Sequence, residues 1–160
     1  GVLESNKAVI ENILASHGYA ADASHLSGMR RNSIACVALN TCPQAMAEAE
    51  RYMPDLISKL EVSLDKYGLR QEDIKIRMTG CPNGCGRSVL GEIGLIGKSF
   101  GRYNLYLGAS PNGDRLNKLY RENLDEAAIL QTLDSLFADF AANRREAEPL
   151  GDFVIRKHYV

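Results

Sequence analysis

The stretch that decides the predicted fold reads IKIRMTGCPNGCGR and spans residues 74 to 87. Residues 74 to 78 alternate apolar and charged side chains, which is the period-two pattern of a half-buried β-strand. The strand runs directly into a segment with three glycines and two cysteines, which predicts a loop. Binding residues are often carried by loops on a rigid scaffold, so we place a candidate site at this edge of a sheet.

A second stretch of the same character, ACVALNTCPQAMAEAE, spans residues 35 to 50. Residues 33 to 39 predict a short buried strand. Pro43 then predicts a helix start, because proline is favoured in a first helical turn. The helix is expected from Gln44 to about Lys66, with a bend at Pro54.

The rest of the chain mixes helical and strand patterns. The remaining predicted elements are a helix that Gly18 ends, a loop over 20–31, a hairpin of strands 91–97 and 103–108, a turn over 111–114, a helix from Asp125 to about Arg145, and a β-like segment over 153–155. The mixture predicts an α+β fold, a mixed sheet with helices packed on one face and the cysteine loops at one sheet edge.

Length and composition limit what the protein can be. The chain has 160 residues, of which 45% are hydrophobic and 24% charged, and this predicts one folded domain with residues 1 to 32 as a helix-and-loop lead-in. Its net charge of −1 argues against a nucleic-acid partner. No apolar run reaches the ~20 residues that span a membrane, and no secretory signal is visible, so a cytoplasmic protein is expected. Because the chain begins at Gly1 in a helical pattern, we expect it to be part of a longer protein.

The four cysteines of the chain form two pairs, Cys36 with Cys42 and Cys81 with Cys85. Each pair lies where a predicted strand ends, so both pairs can converge at one edge of the sheet. Four thiolates are a ligand set for either a structural zinc or an iron–sulfur cluster. Zinc ligands are usually paired as C-x2–4-C, which the second pair satisfies, whereas five residues separate the first pair. A cluster fits this spacing better, while a zinc site and four buried structural cysteines remain as alternatives.

The residues around the cysteines favour a bound cluster. Cys42 is expected at a helix start, where the helix dipole stabilises a thiolate. Gly80, Gly84 and Gly86 allow backbone N–H groups to approach the sulfur atoms, because glycine carries no side chain.

The two cysteine motifs, ACVALNTCPQAMAEAE and MTGCPNGCGR, resemble the signature of the sirohaem-containing sulfite and nitrite reductases. The later stretches GEIGLIGKSFGRYNLYLGA and GDFVIRK look like the haemoprotein (β) subunits of the assimilatory NADPH-dependent sulfite reductases. The likeness runs from about Ser33 to the end of the chain, which would correspond to roughly the C-terminal third of a family member. Sulfite and nitrite reductases share the motifs, so a ferredoxin-type nitrite reductase remains an alternative.

The resemblance implies that the cysteines hold a [4Fe–4S] cluster joined to a sirohaem. By position, Cys36, Cys42 and Cys81 would be cluster ligands. Cys85 would be the catalytic-site thiolate that the cluster and the haem iron share.

Three further residues of the second motif are implied as cofactor-binding candidates. Thr79 and Asn83 could hydrogen-bond the cluster or the haem, although an asparagine in a Pro-Asn-Gly turn is equally explained by backbone geometry. Arg87 could meet a sirohaem carboxylate, although an arginine after a loop is often simply exposed.

The implied activity is the six-electron reduction of sulfite to sulfide in sulfate assimilation. A flavoprotein (α) subunit that binds NADPH would donate the electrons. The basic residues that clamp the sulfite anion would lie outside this chain, so the chain alone is expected to be inactive. We also expect it to self-associate through apolar surface that the rest of the haemoprotein would cover.

Overall fold

The computed structural model describes residues 1–19 and 23–160. Its helices are α1 (Lys7–Ser16), α2 (Gly28–Arg31), α3 (Met53–Lys66), α4 (Glu126–Asn143) and α5 (Leu150–Arg156), with two short 3₁₀-helices at Glu4–Asn6 and Ser88–Leu90. Its strands are β1 (Ile34–Ala35), β2 (Ile76–Thr79), β3 (Ile93–Ser99), β4 (Arg102–Leu107) and β5 (Lys118–Leu124). None of the helices in the described ranges is long and apolar enough to cross a membrane.

The five strands form one mixed sheet in the order β1-β2-β3-β4-β5. The first three strands run parallel, and β4 and β5 are antiparallel to their neighbours. Met78 lies opposite Leu95, which lies opposite Leu105, and all three side chains are fully buried. Because paired residues share a sheet face, this row marks the face that lies against the core. The predicted α+β class with a mixed sheet is confirmed.

The long helices supply most of the apolar side chains that cover this face. The buried residues of α3 are Met53, Leu56, Ile57, Leu60 and Leu64, and those of α4 include Ile129, Leu133, Leu136, Phe137 and Phe140. Helix α5 adds Phe153, whose ring meets that of Phe140 edge-on with the centroids 5.2 Å apart. Each such side chain gains about 1.5–3 kcal/mol from burial, so the sheet edge that carries the cysteines is held by a substantial core.

The helix predicted to begin at Gln44 begins at Met53 instead, so that prediction is wrong for residues 44–52. Pro54 lies in the first turn of α3, where a proline is tolerated, and does not bend the helix. The backbone N–H groups of Met46 and Ala47 donate to the carbonyl of Gly80 at 2.8 and 3.0 Å. A tertiary contact therefore holds the backbone of this segment, and Cys42 does not lie at a helix start.

Two further predictions at the C-terminal side are corrected. Residues 153–155 belong to helix α5, because the apolar run packs as one face of a helix after Pro149. Strand β5 was not predicted, since most of its residues are exposed and polar and only pairing with β4 defines it as a strand. The predicted hairpin of β3 and β4 is confirmed, and the Asp125 carboxylate accepts from the Ala128 N–H at 2.9 Å, as expected of a helix cap.

The first part of the chain is less regular. Every described residue of α1 is exposed, whereas Met29 of α2 is fully buried in the core. The loop predicted over 20–31 contains α2, which the Ser27 hydroxyl caps by accepting from the Arg30 N–H. Residues 20–22 of that predicted loop lie outside the described residues.

Candidate functional site

The cysteines lie where two neighbouring strands end. Cys36 directly follows β1, and Cys81 follows the last residue of β2 by two positions. Since β1 and β2 are parallel neighbours, their carboxyl ends meet at the same edge of the sheet. Cys36, Cys42, Cys81 and Cys85 all line one small cavity there, of about 40 Å³. We call this space the cysteine cavity; its other lining residues are Val37, Ala38, Gln44, Ala45, Thr79, Gly80 and Asn83.

The four thiols differ in their exposure to solvent. Cys81 is buried, Cys36 and Cys42 are half-buried, and Cys85 is exposed. All four are free thiols, with no disulfide among them. The cavity therefore has three thiols on its inner walls and one at its mouth.

A backbone hydrogen bond joins the two cysteine turns directly. The N–H of Gly80 donates to the Sγ atom of Cys36, with nitrogen and sulfur 3.3 Å apart. The carbonyl of the same residue accepts from Met46 and Ala47. Gly80 thus connects the segment after β2 to the segment after β1 through both its N–H and its carbonyl.

A tight turn, and not a helix start, brings Cys42 to the cavity. The N–H of Cys42 donates to the carbonyl of Ala38 at 2.7 Å, which folds the chain back after Cys36. Ala38 itself has a left-handed backbone with φ of 49° and is buried. The Arg51 guanidinium donates to the carbonyl of Leu39 at 2.7 Å and holds the outside of the turn. The helix-dipole explanation for a Cys42 thiolate is therefore wrong, and turn geometry positions this sulfur.

Close backbone approach explains two of the three glycines in the second motif. A Cβ atom on Gly80 would lie 2.6 Å from the Ala38 Cβ and 2.6 Å from the Ala47 oxygen. A Cβ atom on Gly86 would lie 2.2 Å from the oxygen of Met78. Neither position has room for a side chain, so the glycines let the loop fold tightly against the strand ends.

The three cofactor-binding candidates occupy different places. Thr79 lines the cysteine cavity, is fully buried, and its hydroxyl lies 2.9 Å from that of Ser88. Asn83 lines the cavity mouth, and its amide donates to the Gln44 side chain at 2.7 Å. Arg87 is exposed, has a left-handed backbone with φ of 52°, and does not line the cavity.

Several residues around the cavity were not predicted. Gln44 links the two cysteine loops through Asn83, and Arg51 supports the Cys42 turn. Ser88 and Asn117 hold the far end of the second loop. Their roles depend on contacts between residues far apart in sequence, so no local pattern could have indicated them.

The arrangement of donors bears on which kind of metal centre the cavity fits. A tetrahedral zinc bound at about 2.3 Å would draw its four sulfurs to within roughly 4 Å of one another. Within residues 1–19 and 23–160, no group of three or more Cys, His, Asp or Glu side chains is arranged to hold a metal ion. The four thiols line one common space.

Comparison with known proteins identifies relatives of the chain. No family model matches it. It is 54% identical over 155 residues to the sulfite reductase (NADPH) hemoprotein beta-component of Leptospira biflexa, a match that covers 97% of this chain and 28% of that protein. The same protein of Shewanella woodyi is 57% identical over 155 residues, covering 97% and 26%, and that of Oceanobacillus iheyensis is 61% identical over 134 residues, covering 84% and 23%.

The predicted resemblance to the sulfite reductase haemoproteins is confirmed. With 97% of the chain covered, the likeness extends further toward the N-terminus than the start near Ser33 that the motifs suggested. The chain spans about a quarter of the length of these relatives, a smaller share than the expected third. The solved structure of the NirA protein of Mycobacterium tuberculosis shares the fold, with a TM-score of 0.70, 23% identity, and coverage of 97% of this chain and 30% of that one.

Proposed function

We propose that this chain is the cluster- and sirohaem-ligating part of a sulfite reductase that carries out the six-electron reduction of sulfite to sulfide. One observation carries the proposal: four thiols from two separate turns line a single cavity at the carboxyl ends of β1 and β2. The relatives, which are named as sulfite reductase haemoproteins, make this the reading that best accounts for the cavity.

The donor set fits a [4Fe–4S] cluster. Such a cluster takes one cysteine thiolate at each of its four irons, so the ligands surround a space and do not meet at one atom. Four thiols that line one common cavity from two separate turns match that requirement. A structural zinc would instead draw the four sulfurs to a single atom, so metal analysis separates the two kinds of centre.

The exposure of the cysteines supports a division of roles. We assign Cys36, Cys42 and Cys81 as ligands of the cluster alone, since they form the inner walls. Cys85 stands at the mouth and is exposed, so its sulfur can also reach a second metal outside the cavity. In this proposal it is the thiolate that the cluster shares with the sirohaem iron.

The protein's own contribution is to hold these thiolates in place and to set the reduction potential of the cluster that they bind. When bound, the two cofactors would store electrons and deliver them to a sulfur oxyanion. The Gly80 N–H brings positive charge to the Cys36 sulfur, and hydrogen bonds to ligand sulfurs are one of the levers that set a cluster's potential. Asn83 at the cavity mouth and the exposed Arg87 are proposed to meet the sirohaem.

The rest of the active site is proposed to come from outside this chain. The chain spans about a quarter of the length of its relatives, so most of such a haemoprotein lies outside it. A sulfite anion needs positive charge to bind and to stabilise developing charge on oxygen. We therefore assign the substrate clamp to a part of the haemoprotein not included here, and electron supply to an NADPH-dependent flavoprotein subunit in the same cytoplasmic compartment.

Metal and product analysis of the full-length protein tests this function. We expect iron, acid-labile sulfide and sirohaem, with sulfide formed from sulfite when a chemical reductant supplies electrons. Stoichiometric zinc in a colourless protein would establish the structural zinc domain instead. Efficient ammonia formation from nitrite with negligible sulfide formation would make the protein a nitrite reductase.

A further inference from the structure

Two buried hydroxyl groups close the loop that carries Cys81 and Cys85. Thr79 is the last residue of β2, and Ser88 is the first residue of the 3₁₀-helix Ser88–Leu90. Their hydroxyl oxygens are 2.9 Å apart, and both residues are at most 1% exposed. Residues 80–87, which include both cysteines, thus form a loop whose two ends are joined by a side-chain hydrogen bond.

Asn117 fixes the downstream end of this loop to the sheet. Its side-chain amide donates to the carbonyls of Ser88 at 2.7 Å and Gly91 at 2.9 Å. Its backbone N–H donates to the carbonyl of Val89 at 3.0 Å. Asn117 is only 8% exposed, and within the described part of the chain its Oδ1 atom has no partner, so the side chain acts here as a donor.

Gly94 provides the space in which these contacts form. A Cβ atom at this position of β3 would lie 2.4 Å from the Ser88 oxygen and 2.5 Å from the Asn117 Nδ2 atom. The 3₁₀-helix and the asparagine side chain therefore lie directly on the strand. Strand β3 therefore supports the downstream end of the loop, and β2 continues directly into its upstream end.

The loop that carries both cysteines is held at both of its ends. Cys81 follows Gly80, whose N–H donates a hydrogen bond to Cys36 and whose carbonyl accepts from Met46 and Ala47. Cys85 is exposed and lies three residues before Ser88. On the downstream side of Cys85 the loop is held first by Gly86, which packs against the carbonyl of Met78, and then by the contacts of Ser88.

We infer that Thr79, Ser88 and Asn117 form a loop clamp, a set of positioning residues that keeps the Cys81–Cys85 loop closed around the metal cluster. The inference rests on the proposed function for the cluster, and it assigns the Thr79 hydroxyl to the loop in place of a cofactor. Opening the clamp should let the loop swing away from the cavity while the sheet and the helices stay folded.

Three variants of the full-length protein test the clamp. Thr79→Val removes the hydroxyl at nearly constant volume, and Asn117→Asp places a carboxylate oxygen against two carbonyls. Thr79→Ser retains the hydroxyl and should restore the behaviour of the unmodified protein. Matched controls are Thr132→Val, a buried threonine on α4, and Asn112→Asp, an exposed asparagine in a turn.

The main measurement is the rate at which a ferrous chelator removes iron from the loaded protein, with the melting temperature recorded beside it. We expect removal to be at least tenfold faster in the two clamp variants, and unchanged in Thr79→Ser and in both controls. Equal rates in all variants would overturn the clamp, as would acceleration that the Thr132→Val control shares.

A second measurement separates failure of the clamp from failure of the proposed function. In protein freed of metal, alkylation of the buried Cys81 should accelerate several-fold in the clamp variants while alkylation of Cys42 stays constant. A wild-type protein without iron or sulfide would refute the proposed function, and the alkylation ratio would still decide the clamp. An unchanged ratio of the Cys81 alkylation rate to the Cys42 alkylation rate would refute the clamp.

Discussion

The backbone N–H of Gly80 donates a hydrogen bond to the Sγ atom of Cys36, so residues separated by 43 intervening positions share the wall of one cavity. The donor belongs to the loop that carries Cys81 and Cys85, and the acceptor belongs to the turn that carries Cys42. This contact therefore fixes the position of one loop relative to the other at a sulfur atom of the cavity.

Replacement of Gly80 by alanine should separate the two loops. The new Cβ atom would lie 2.6 Å from both Ala38 and Ala47, and overpacking of this kind costs about 1–3 kcal/mol. We expect a lower free energy of unfolding in urea and less than half of the wild-type iron per chain. Gly113→Ala is the control, because that turn glycine has a φ of 81° but nothing within 4 Å. Gly113→Ala should lower the free energy of unfolding by about 1 kcal/mol and leave the iron content at the wild-type level. A wild-type iron content in Gly80→Ala would contradict the prediction.

Replacement of Cys85 by serine should disturb two cofactors at once. In the proposed site its sulfur is a ligand of both the cluster and the sirohaem, so the absorption of both should change together. Cys42→Ser is the comparison, because it removes a ligand of the cluster alone. The measurements are the visible spectrum, the iron and sulfide content, and the rate of sulfide formation. Loss of the cluster with an unchanged sirohaem spectrum and unchanged activity would show that Cys85 is not shared.

Glu92 should make the stability of the fold depend on pH. The residue is 1% exposed, and its carboxylate accepts from the backbone N–H groups of Lys75 and Gly151, each at 2.9 Å. Burial raises the pKa of Glu92 above its ordinary value of 4.5, and the hydrogen bonds from Gly151 and Lys75 only partly oppose this. A raised pKa means that the folded state binds the proton more tightly than the unfolded state. The stabilisation is therefore complete below pH 4.5 and is lost as the pH rises through the raised pKa.

Urea unfolding of wild-type and Glu92→Gln protein at pH 4 and pH 8 measures this effect. At pH 4 the neutral wild-type acid can still accept from both N–H groups, one of them through its hydroxyl oxygen, whereas the amide nitrogen of glutamine can only donate. The variant should therefore be less stable at pH 4 by about 1–3 kcal/mol. The difference should narrow by pH 8, because only the wild type loses stability through ionisation. Glu122→Gln, an exposed position on β5, should show no such trend. A difference that widens with pH would mean that the Glu92 pKa is lowered.

The 160-residue chain alone should not reduce sulfite at a useful rate. The chain covers about a quarter of its relatives' length, and the proposed substrate clamp lies in the part it does not cover, so the anion would lack the positive charge that holds it against the reacting metal. The test is reconstitution with iron, sulfide and sirohaem, followed by an assay with a strong chemical reductant. We also expect dimers or larger species by light scattering, because many large hydrophobic side chains of α1 and other segments are exposed. Turnover comparable to that of an intact haemoprotein would place the substrate clamp within this chain.

Local patterns were sufficient for the parts of the fold that neighbouring residues define. The alternation of residues 91–97 and 103–108 predicted the β3–β4 hairpin, because the period of two follows directly from strand geometry. Asp125 was predicted as a cap, and its carboxylate accepts from an N–H three residues later. The two cysteine motifs were sufficient to indicate the family resemblance, since they contain the ligand types and their spacing.

Other parts of the fold required tertiary contacts. Residues 44–52 have a helical pattern, but the carbonyl of Gly80 takes two of their N–H groups and α3 begins only at Met53. The apolar residues 153–155 fit either a strand or a helix, and packing of Phe153 against Phe140 favours the helix. Strand β5 has no apolar alternation and is defined by pairing with β4.

The same division holds at the site. The sequence by itself determined the chemistry, namely four thiols and the glycines that let backbone amides approach them, because these are properties of residue type and short spacing. Only the tertiary structure decided that the thiols share one cavity, that a turn and not a helix start presents Cys42, and that Ser88 and Asn117 hold the second loop. Those features depend on distances between residues that pairing of β1 with β2 and packing of the core bring together, and no local pattern contains such distances.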